Sequence, residues 1–354
     1  MLFGMKAEFS VRLQKIESVL NDFLPKSATD SWRNLSFGSI DSCINENHIS
    51  NLVVPCKNLI ELGGKRWRPL LLVLVAELCV DSKSEKSVEN AYLLTPLVEF
   101  AHTASLIHDD IEDSADTRRG KPAAHISFGL DVALNAASWL YFEATTCIKN
   151  LNLPDSKKIA LYELFLTELR RLHLGQAMDI LWHRNPEMIP TTEEYTAMVR
   201  NKTGTLARLA VKLGAFAGGA SDEEIEKAGN FAQDIGTGFQ ILDDVTNLTT
   251  GNPGKKRGDD IVEGKKSLPV LLHLEKNPDD KEKIAALFEK ARIEGIDSNA
   301  VEETISILVA GDAIESAKHR GQKIIEENAR GLANLFGNAE SESAKLIKEL
   351  FASM

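Results

Sequence analysis

The stretch His102-Thr103-Ala104-Ser105-Leu106-Ile107-His108-Asp109-Asp110-Ile111-Glu112-Asp113 holds the densest set of groups able to do chemistry. On a helix, at about 100° per residue, Asp109 and Asp113 share one face a turn apart, and His102 lies on the same stripe two turns earlier. Carboxylates at this spacing repel unless a cation lies between them. Oxygen-only donors on a rigid backbone suit Mg²⁺, which takes one or two carboxylates and completes its shell with water and substrate phosphate. The plain alternative, a solvated acidic helix end, fits poorly with the apolar run Ala104 to Ile107 just before it. A second acidic face follows at Gln240, Asp243, Asp244 and Asn247, with Ile235, Phe239 and Leu242 on the apolar side. If two such helices face each other across a bundle, they form a carboxylate cage for divalent cations around one highly charged anion.

Cations are grouped to match. Gly63-Gly64-Lys65-Arg66-Trp67-Arg68-Pro69 puts Lys65 and Arg68 one turn apart beside a glycine pair, whose exposed amides can also receive an anion. Arg118-Arg119-Gly120 follows the first acidic cluster, Lys202-Thr203-Gly204 falls within a helical segment, and Lys255, Lys256, Lys265 and Lys266 flank the loop after the second. Any one of these pairs reads most simply as snorkelling surface charge. Their repeated placement beside glycines and acids counts against that reading. No Gly-x-x-x-x-Gly-Lys-Ser/Thr loop is present, which excludes a P-loop nucleotide enzyme.

The elements that must position these groups read as helices. Phe9, Leu13, Ile16, Leu20 and Phe23 recur at helical steps; Arg66 to Val80 restarts a helix behind Gly63-Gly64; and Ser87 to Asp113 reads as one long helix bent near Pro96. Further helices are expected over Asp131 to Asn150, Asp155 to His183, Thr191 to Gly218 and Ser221 to Leu248, with several more between Ser267 and Met354. Capping boxes open two of them, Thr191-x-x-Glu194 and Ser221-x-x-Glu224. No period-two alternation predicts a sheet. No repeat or Pro/Ser-rich linker divides the 354 residues, so 1–354 is expected to be one all-α domain. The formal charge of −11 argues against nucleic acid as a partner. No run reaches the roughly 18 apolar residues of a membrane span. The four scattered cysteines form no C-x-x-C pair, so a cytoplasmic protein is expected.

With these residues in hand, the chain resembles the trans-isoprenyl diphosphate synthases, or polyprenyl synthetases. The matching stretches are GGKRWRP, HTASLIHDDIEDSADTRRGKP, GQAMD, KTG, GFQILDDVTN, GKKRGDD and GKKSLP, in the family's order from residue 63 to about 269. The resemblance implies a single large helical bundle of the isoprenoid synthase type around a central substrate tunnel, and a homodimer. It implies a prenyltransferase that condenses isopentenyl diphosphate with an allylic diphosphate. Three Mg²⁺ ions would be held by Asp109 and Asp113, supported by Asp110, and by Asp243, with Asp179 and Asp244 as supporting acids. Arg118, Lys202 and Lys265 would spread the charge of the departing pyrophosphate, Thr203 and Gln240 would donate hydrogen bonds to it, and Lys255 would assist. Lys65, Arg68, His102 and Arg119 would hold the second diphosphate, which carries no metal. The absence of a nucleophilic triad fits a reaction of ionisation and positioning.

The second motif departs from many relatives by ending in Asn247, where they carry Asp; activity is expected to survive. Short-chain relatives carry a bulky aromatic at the fourth or fifth position before the first motif. Here these are Ser105 and Ala104, with Ala101 and Val98 deeper, which points to a deep tunnel and a medium- or long-chain product. The alternative, a short-chain farnesyl or geranylgeranyl diphosphate synthase, has its tunnel floor supplied from another helix by Trp139, Phe142 or Phe165. A silent prenyl-diphosphate-binding subunit would have lost acids from one motif, and both survive here. A terpene cyclase has no use for a second cationic cluster.

Overall fold

The apolar stripe Phe9, Leu13, Ile16, Leu20 and Phe23 lies on α1 (Ala7–Phe23), and every one of these side chains is buried. The computed structural model describes residues 7–79, 85–185, 187–251, 256–337 and 339–352. After α2 (Asp30–Phe37) and α3 (Glu46–Glu61) comes α4 (Trp67–Cys79), apolar all round; Leu70 to Ala76 are completely buried, as in a helix at the centre of a core. The expected end of that helix, Val80, lies outside the described residues.

Two predicted helices are broken in two. The span Ser87 to Asp113 is shared by α5 (Glu85–Leu93) and α6 (Thr95–Glu112), because Pro96 has no N–H to give and fits only the first turn of a new helix. The span Asp131 to Asn150 is shared by α8 (Leu130–Glu143) and α9 (Thr146–Lys149), which follow α7 (Ala124–Phe128). At that break the hydroxyls of Thr145 and Thr146 bond the carbonyls of Phe142 and Glu143 at 2.7 and 2.8 Å, competing with the helical ladder. Between α6 and α7 a short antiparallel hairpin, β1 (Thr117–Arg118) and β2 (Lys121–Pro122), pairs Arg118 with Lys121. Strands this short leave no periodic trace in sequence.

The second half follows expectation more closely. α10 (Asp155–His183) keeps its predicted bounds. α11 (Thr192–Val199) and α13 (Asp222–Thr249) open on both capping boxes: Glu194 N–H donates to Thr191 Oγ1 at 3.1 Å and Thr191 N–H to Glu194 Oε2 at 2.8 Å, with the same exchange between Ser221 and Glu224. A π-helical turn, Arg200–Gly204, joins α11 to α12 (Thr205–Ala217). The chain continues through α14 (Asp259–Val262), α15 (Leu268–Lys276), α16 (Lys281–Glu294), α17 (Asn299–Ala310), α18 (Ala313–Leu335) and α19 (Glu342–Ala352).

The fold is all-α, and its residues group into two compact units. The first takes the chain up to Thr167, together with Leu209–Gly229 and the residues from Ala333 on. Within it α6 and α3 pack on α8, and α12 meets α4 backbone to backbone: a Cβ on Gly214 would fall 2.3 Å from the Leu72 carbonyl oxygen. The second unit takes Glu168–Arg208 and Asn230–Leu332, around a core that includes Trp182, Tyr195, Ile241, Leu268 and Phe288.

Candidate active site

In the first unit, α6 carries the leading acidic cluster to its C-terminal end, where Asp113 caps the helix by donating its N–H to the Asp109 carbonyl at 2.8 Å. Asp109 and Asp113 stay partly exposed, whereas Asp110 turns inward and is buried. Its Oδ1 accepts from Arg118 Nε at 2.8 Å and from Nη2, which also reaches Asp109 Oδ2 at 3.5 Å. The hairpin that holds Arg118 therefore fixes it between two neighbouring aspartates. Burial pushes the Asp110 carboxyl upward and Arg118 opposes it.

Lys65, Arg68 and Arg119, the cations read as holding the second diphosphate, lie in the same unit. Arg68 lies over the Trp67 ring at 4.4 Å, and its Nη1 is 3.4 Å from His102 Nε2. Arg119 Nη1 donates to the Leu59 carbonyl at 3.3 Å, and its Nη2 sits 3.0 Å from where a Cβ on Gly64 would be. Only glycine leaves room there, and with φ at +151° only glycine adopts that backbone without strain. Burial holds the His102 imidazole well below its usual value, reinforced by Arg68 and Arg119, so at neutral pH the ring is uncharged. Burial likewise lowers Arg68 to about 10, which leaves it cationic at neutral pH. Lys65 is exposed at the same turn.

The second unit assembles the other half of the predicted set. Lys202 Nζ is 2.6 Å from Asp179 Oδ2. Thr203 Oγ1 donates to Gln240 Oε1 at 2.8 Å, Gln240 Nε2 donates to Asp244 Oδ1 at 2.9 Å, and the Tyr195 hydroxyl donates to Asp244 Oδ2 at 2.6 Å. The π turn makes this register possible, and it needs Gly175 of the GQAMD motif: a Cβ there would lie 2.2 Å from Lys202 N. Burial, then Asp260, pushes the Asp244 carboxyl up to about 7. Asp243 is exposed on the same helix, while Lys265 Nζ sits 2.5 Å from Glu263 and 3.7 Å from Asp260. Lys255 lies outside the described residues.

Asn247, which ends the second motif, is tied into the backbone of the following turn. It is fully buried, its Oδ1 accepts the Asp260 N–H at 3.3 Å, and its carbonyl accepts the Gly258 N–H at 2.9 Å. It braces the turn into α14, and an Asp there would add a third buried carboxylate near Asp244 and Asp260. Sequence reasoning missed Tyr195 and Asp260; the latter stands in the quoted GKKRGDD stretch.

In each unit the acids are of a type that fits a hard divalent cation. Asp109, Asp113 and Asp243 offer carboxylate oxygens that are not sealed from solvent, and Asp110 Oδ2 is buried with no hydrogen-bond partner, as suits an atom facing a cation or its bound water. Among the described residues no group of three His, Cys, Asp or Glu is already gathered around a metal-sized point.

Of the positions read as setting product length, Ser105 is partly buried and bonds the His102 carbonyl at 2.8 Å, while Ala101, Ala104 and Val98 are completely buried. Among the aromatic alternatives, Phe165 is buried and Trp139 stacks on Phe37 at 6.2 Å. Phe142, at 71% exposure, cannot floor an internal tunnel.

Residues 50–307 match the family described as polyprenyl synthetase. The chain belongs to that family. It is 35% identical over 266 residues to a geranylgeranyl pyrophosphate synthase of Neocamarosporium betae, covering 75% of this chain and 72% of that one. It is 36% identical over 265 residues to a short chain isoprenyl diphosphate synthase of Methanocaldococcus jannaschii, covering 74% and 77%. Among solved structures, geranylgeranyl pyrophosphate synthetase from Pyrococcus horikoshii superposes with a TM-score of 0.79 at 28% identity, over 98% of this chain and 96% of that one. A decaprenyl diphosphate synthase from Rhodobacter capsulatus, at 21% identity and a TM-score of 0.76, covering 98% of each chain, shares the fold alone. This polyprenyl synthetase is a trans-prenyl synthase and hence a prenyltransferase, with the all-α isoprenoid synthase fold.

Proposed function

We propose that this polyprenyl synthetase condenses isopentenyl diphosphate with an allylic diphosphate and releases a short-chain product of geranylgeranyl length. The observation that carries the activity is the pairing of oxygen-donor acids with cations: Asp109 and Asp110 with Arg118 in one unit, and Asp179 with Lys202 in the other. The product length departs from the medium- or long-chain expectation. The shorter one is supported by the relatives, among them a geranylgeranyl pyrophosphate synthase and a short chain isoprenyl diphosphate synthase.

In this reading Asp109, Asp113 and Asp243 bind Mg²⁺, with Asp110 in support, and bound Mg²⁺ supplies Lewis-acid neutralisation of the leaving pyrophosphate. Arg118, Lys202 and Lys265 offset the charge that develops on that group, Thr203 and Gln240 orient it, and Lys255 assists. The allylic C–O bond breaks, the double bond of isopentenyl diphosphate attacks the resulting cation, and a proton leaves to the released pyrophosphate. Lys65, Arg68, neutral His102 and Arg119 hold the second diphosphate. We further propose that residues 1–354 act as a single all-helical domain, a reading supported by the likeness to one solved synthetase over 98% of this chain.

We also propose a cytoplasmic homodimer. All four cysteines are free, and exposed Ile126, Leu130, Leu134 and Phe142 on α7 and α8 give a subunit contact apolar surface to bury. No helix among the described residues is long and apolar enough to cross a membrane. The test is incubation of the purified protein with labelled isopentenyl diphosphate, farnesyl diphosphate and Mg²⁺, followed by chromatography of the dephosphorylated product. A geranylgeraniol peak is expected. Label that never lengthens the primer would remove the activity, and longer alcohols would restore the medium- or long-chain reading.

A further inference from the structure

Arg66 stands in the same GGKRWRP stretch as Lys65 and Arg68 but does a different job. It is 6% exposed, and each guanidinium nitrogen is spent on a different helix: Nε donates to Glu17 on α1 at 2.7 Å, Nη1 to Glu99 on α6 at 2.6 Å, and Nη2 to the Ile60 carbonyl of α3 at 2.6 Å. Its backbone φ is +48°, unusual for a side-chain-bearing residue, and it follows Gly63 at +79° and Gly64 at +151°. A turn held in so costly a conformation persists only when its surroundings over-determine it, and such turns cluster at ligand clamps. Arg119, which closes on Gly64 from the hairpin, has a φ of +53°.

Glu99 is the other half of the device. It is 3% exposed, one turn before His102 on α6. Burial pushes its carboxyl up, while Arg66, Arg68 and Arg119 pull it down, so three arginines share one buried counter-charge. Arg68 Nε is itself buried without a hydrogen-bond partner, leaving unspent donor capacity in the cluster.

We propose that Glu99, acting through Arg66 with Glu17, is a positioning residue that fixes the strained 63–66 turn, so that Lys65, Arg68 and Arg119 present a preformed cradle to the non-metal diphosphate. This rests on the reading of that cluster as the isopentenyl diphosphate site. Helical spacing sets Arg66 apart from Lys65 and Arg68, but nothing in the sequence names Glu99 and Glu17 as its partners.

The test separates binding of the two substrates. Glu99→Asp keeps the charge but withdraws it by one methylene from Arg66; the KM for isopentenyl diphosphate is expected to rise about tenfold or more, with the allylic KM within about threefold. Glu17 is only half-buried, so Glu17→Gln should fold normally and raise the same KM about threefold, should Glu99→Asp fail to fold. Glu77→Gln, which weakens the Arg12–Glu77 pair (2.9 Å) in the same unit, should lower thermal stability and leave both KM values unchanged. A parallel rise in both KM values, or an unmoved isopentenyl diphosphate KM in folded Glu99→Asp and Glu17→Gln, overturns the proposal. Lys65→Ala and Arg68→Ala serve as the reference. If they raise that KM and the Glu99 and Glu17 variants do not, positioning alone fails. If they too leave it unmoved, the assignment of the second diphosphate site fails.

Discussion

Glu143 offers a sharp test of the energetics in the first unit. It ends α8, the helix on which α6 packs, and is 3% exposed. The Ser36 hydroxyl donates to its Oε2, and Thr146 Oγ1 lies 3.4 Å from its Oε1. Burial outweighs both contacts and pushes the carboxyl from the usual 4.5 up to about 7. At about 1.4 kcal/mol per pH unit, this gap corresponds to about 3 kcal/mol of stability. The sign follows from which state holds the proton. Below pH 4.5 both the folded and the unfolded chain keep it, and Glu143 contributes no pH dependence. Between pH 4.5 and 7 the unfolded chain releases the proton while the folded one retains it, so stability falls as pH rises. Above pH 7 both are ionised and the loss stays constant. Glu143→Gln is nearly isosteric, keeps an acceptor for Ser36 and never ionises. Its thermal midpoint relative to the wild type should therefore climb by about 4 °C between pH 4.5 and 7.5, then level off, taking about 2 cal/mol/K of unfolding entropy per residue. Paired thermal denaturation scans across that range measure it. A difference that stays flat with pH, or that favours the wild type as pH rises, would refute the argument.

Asp109→Ala and Asp243→Ala should each lower kcat/KM by several orders of magnitude with helicity intact by circular dichroism; lost helicity would mark the aspartates as structural instead. Ser105→Phe fills the partly open position one turn before Asp109 and should shorten the product toward farnesyl length, read by chromatography of the dephosphorylated alcohols. Tyr195→Phe removes a donor from the buried Asp244 carboxylate and should destabilise the protein by about 2 kcal/mol in denaturant unfolding. Asn247→Asp should weaken the fold at pH 8 by about 1–3 kcal/mol, through a third buried carboxylate, while leaving measurable prenyltransferase activity.

Periodicity read the elements well where one helix face is buried. The α1 stripe is buried as expected, α10 keeps its predicted ends, and both capping boxes form because their partners are only three residues apart. It failed where local competition decides, at the Thr145-Thr146 break and in the β1–β2 hairpin, and at Pro96 it expected a bend where the helix ends and a new one starts; none of these alters the hydrophobic pattern on either side. Spacing also made much of the candidate site legible. The aspartates of α6 announce themselves at i and i+4, and Gly175 is legible as part of GQAMD, although nothing in the sequence says that it makes room for the Lys202 amide.

What spacing cannot do is divide labour among like residues. Asp109 and Asp110 are neighbours of one type, yet only the second is buried and doubly bonded to Arg118, because consecutive residues on a helix point about 100° apart. Arg66 and Arg68 differ in the same way: the first spends its guanidinium on three helices and the second keeps a buried nitrogen unpaired. Both contrasts turn on partners outside the helical pattern, Glu17 and Glu99 on other helices in one case and Arg118 on the hairpin in the other. A motif therefore names the pool of charges a site draws on. The partner each charge meets decides which of them is free to meet a phosphate, and a buried arginine with every nitrogen already bonded can serve that phosphate only by holding its neighbours still.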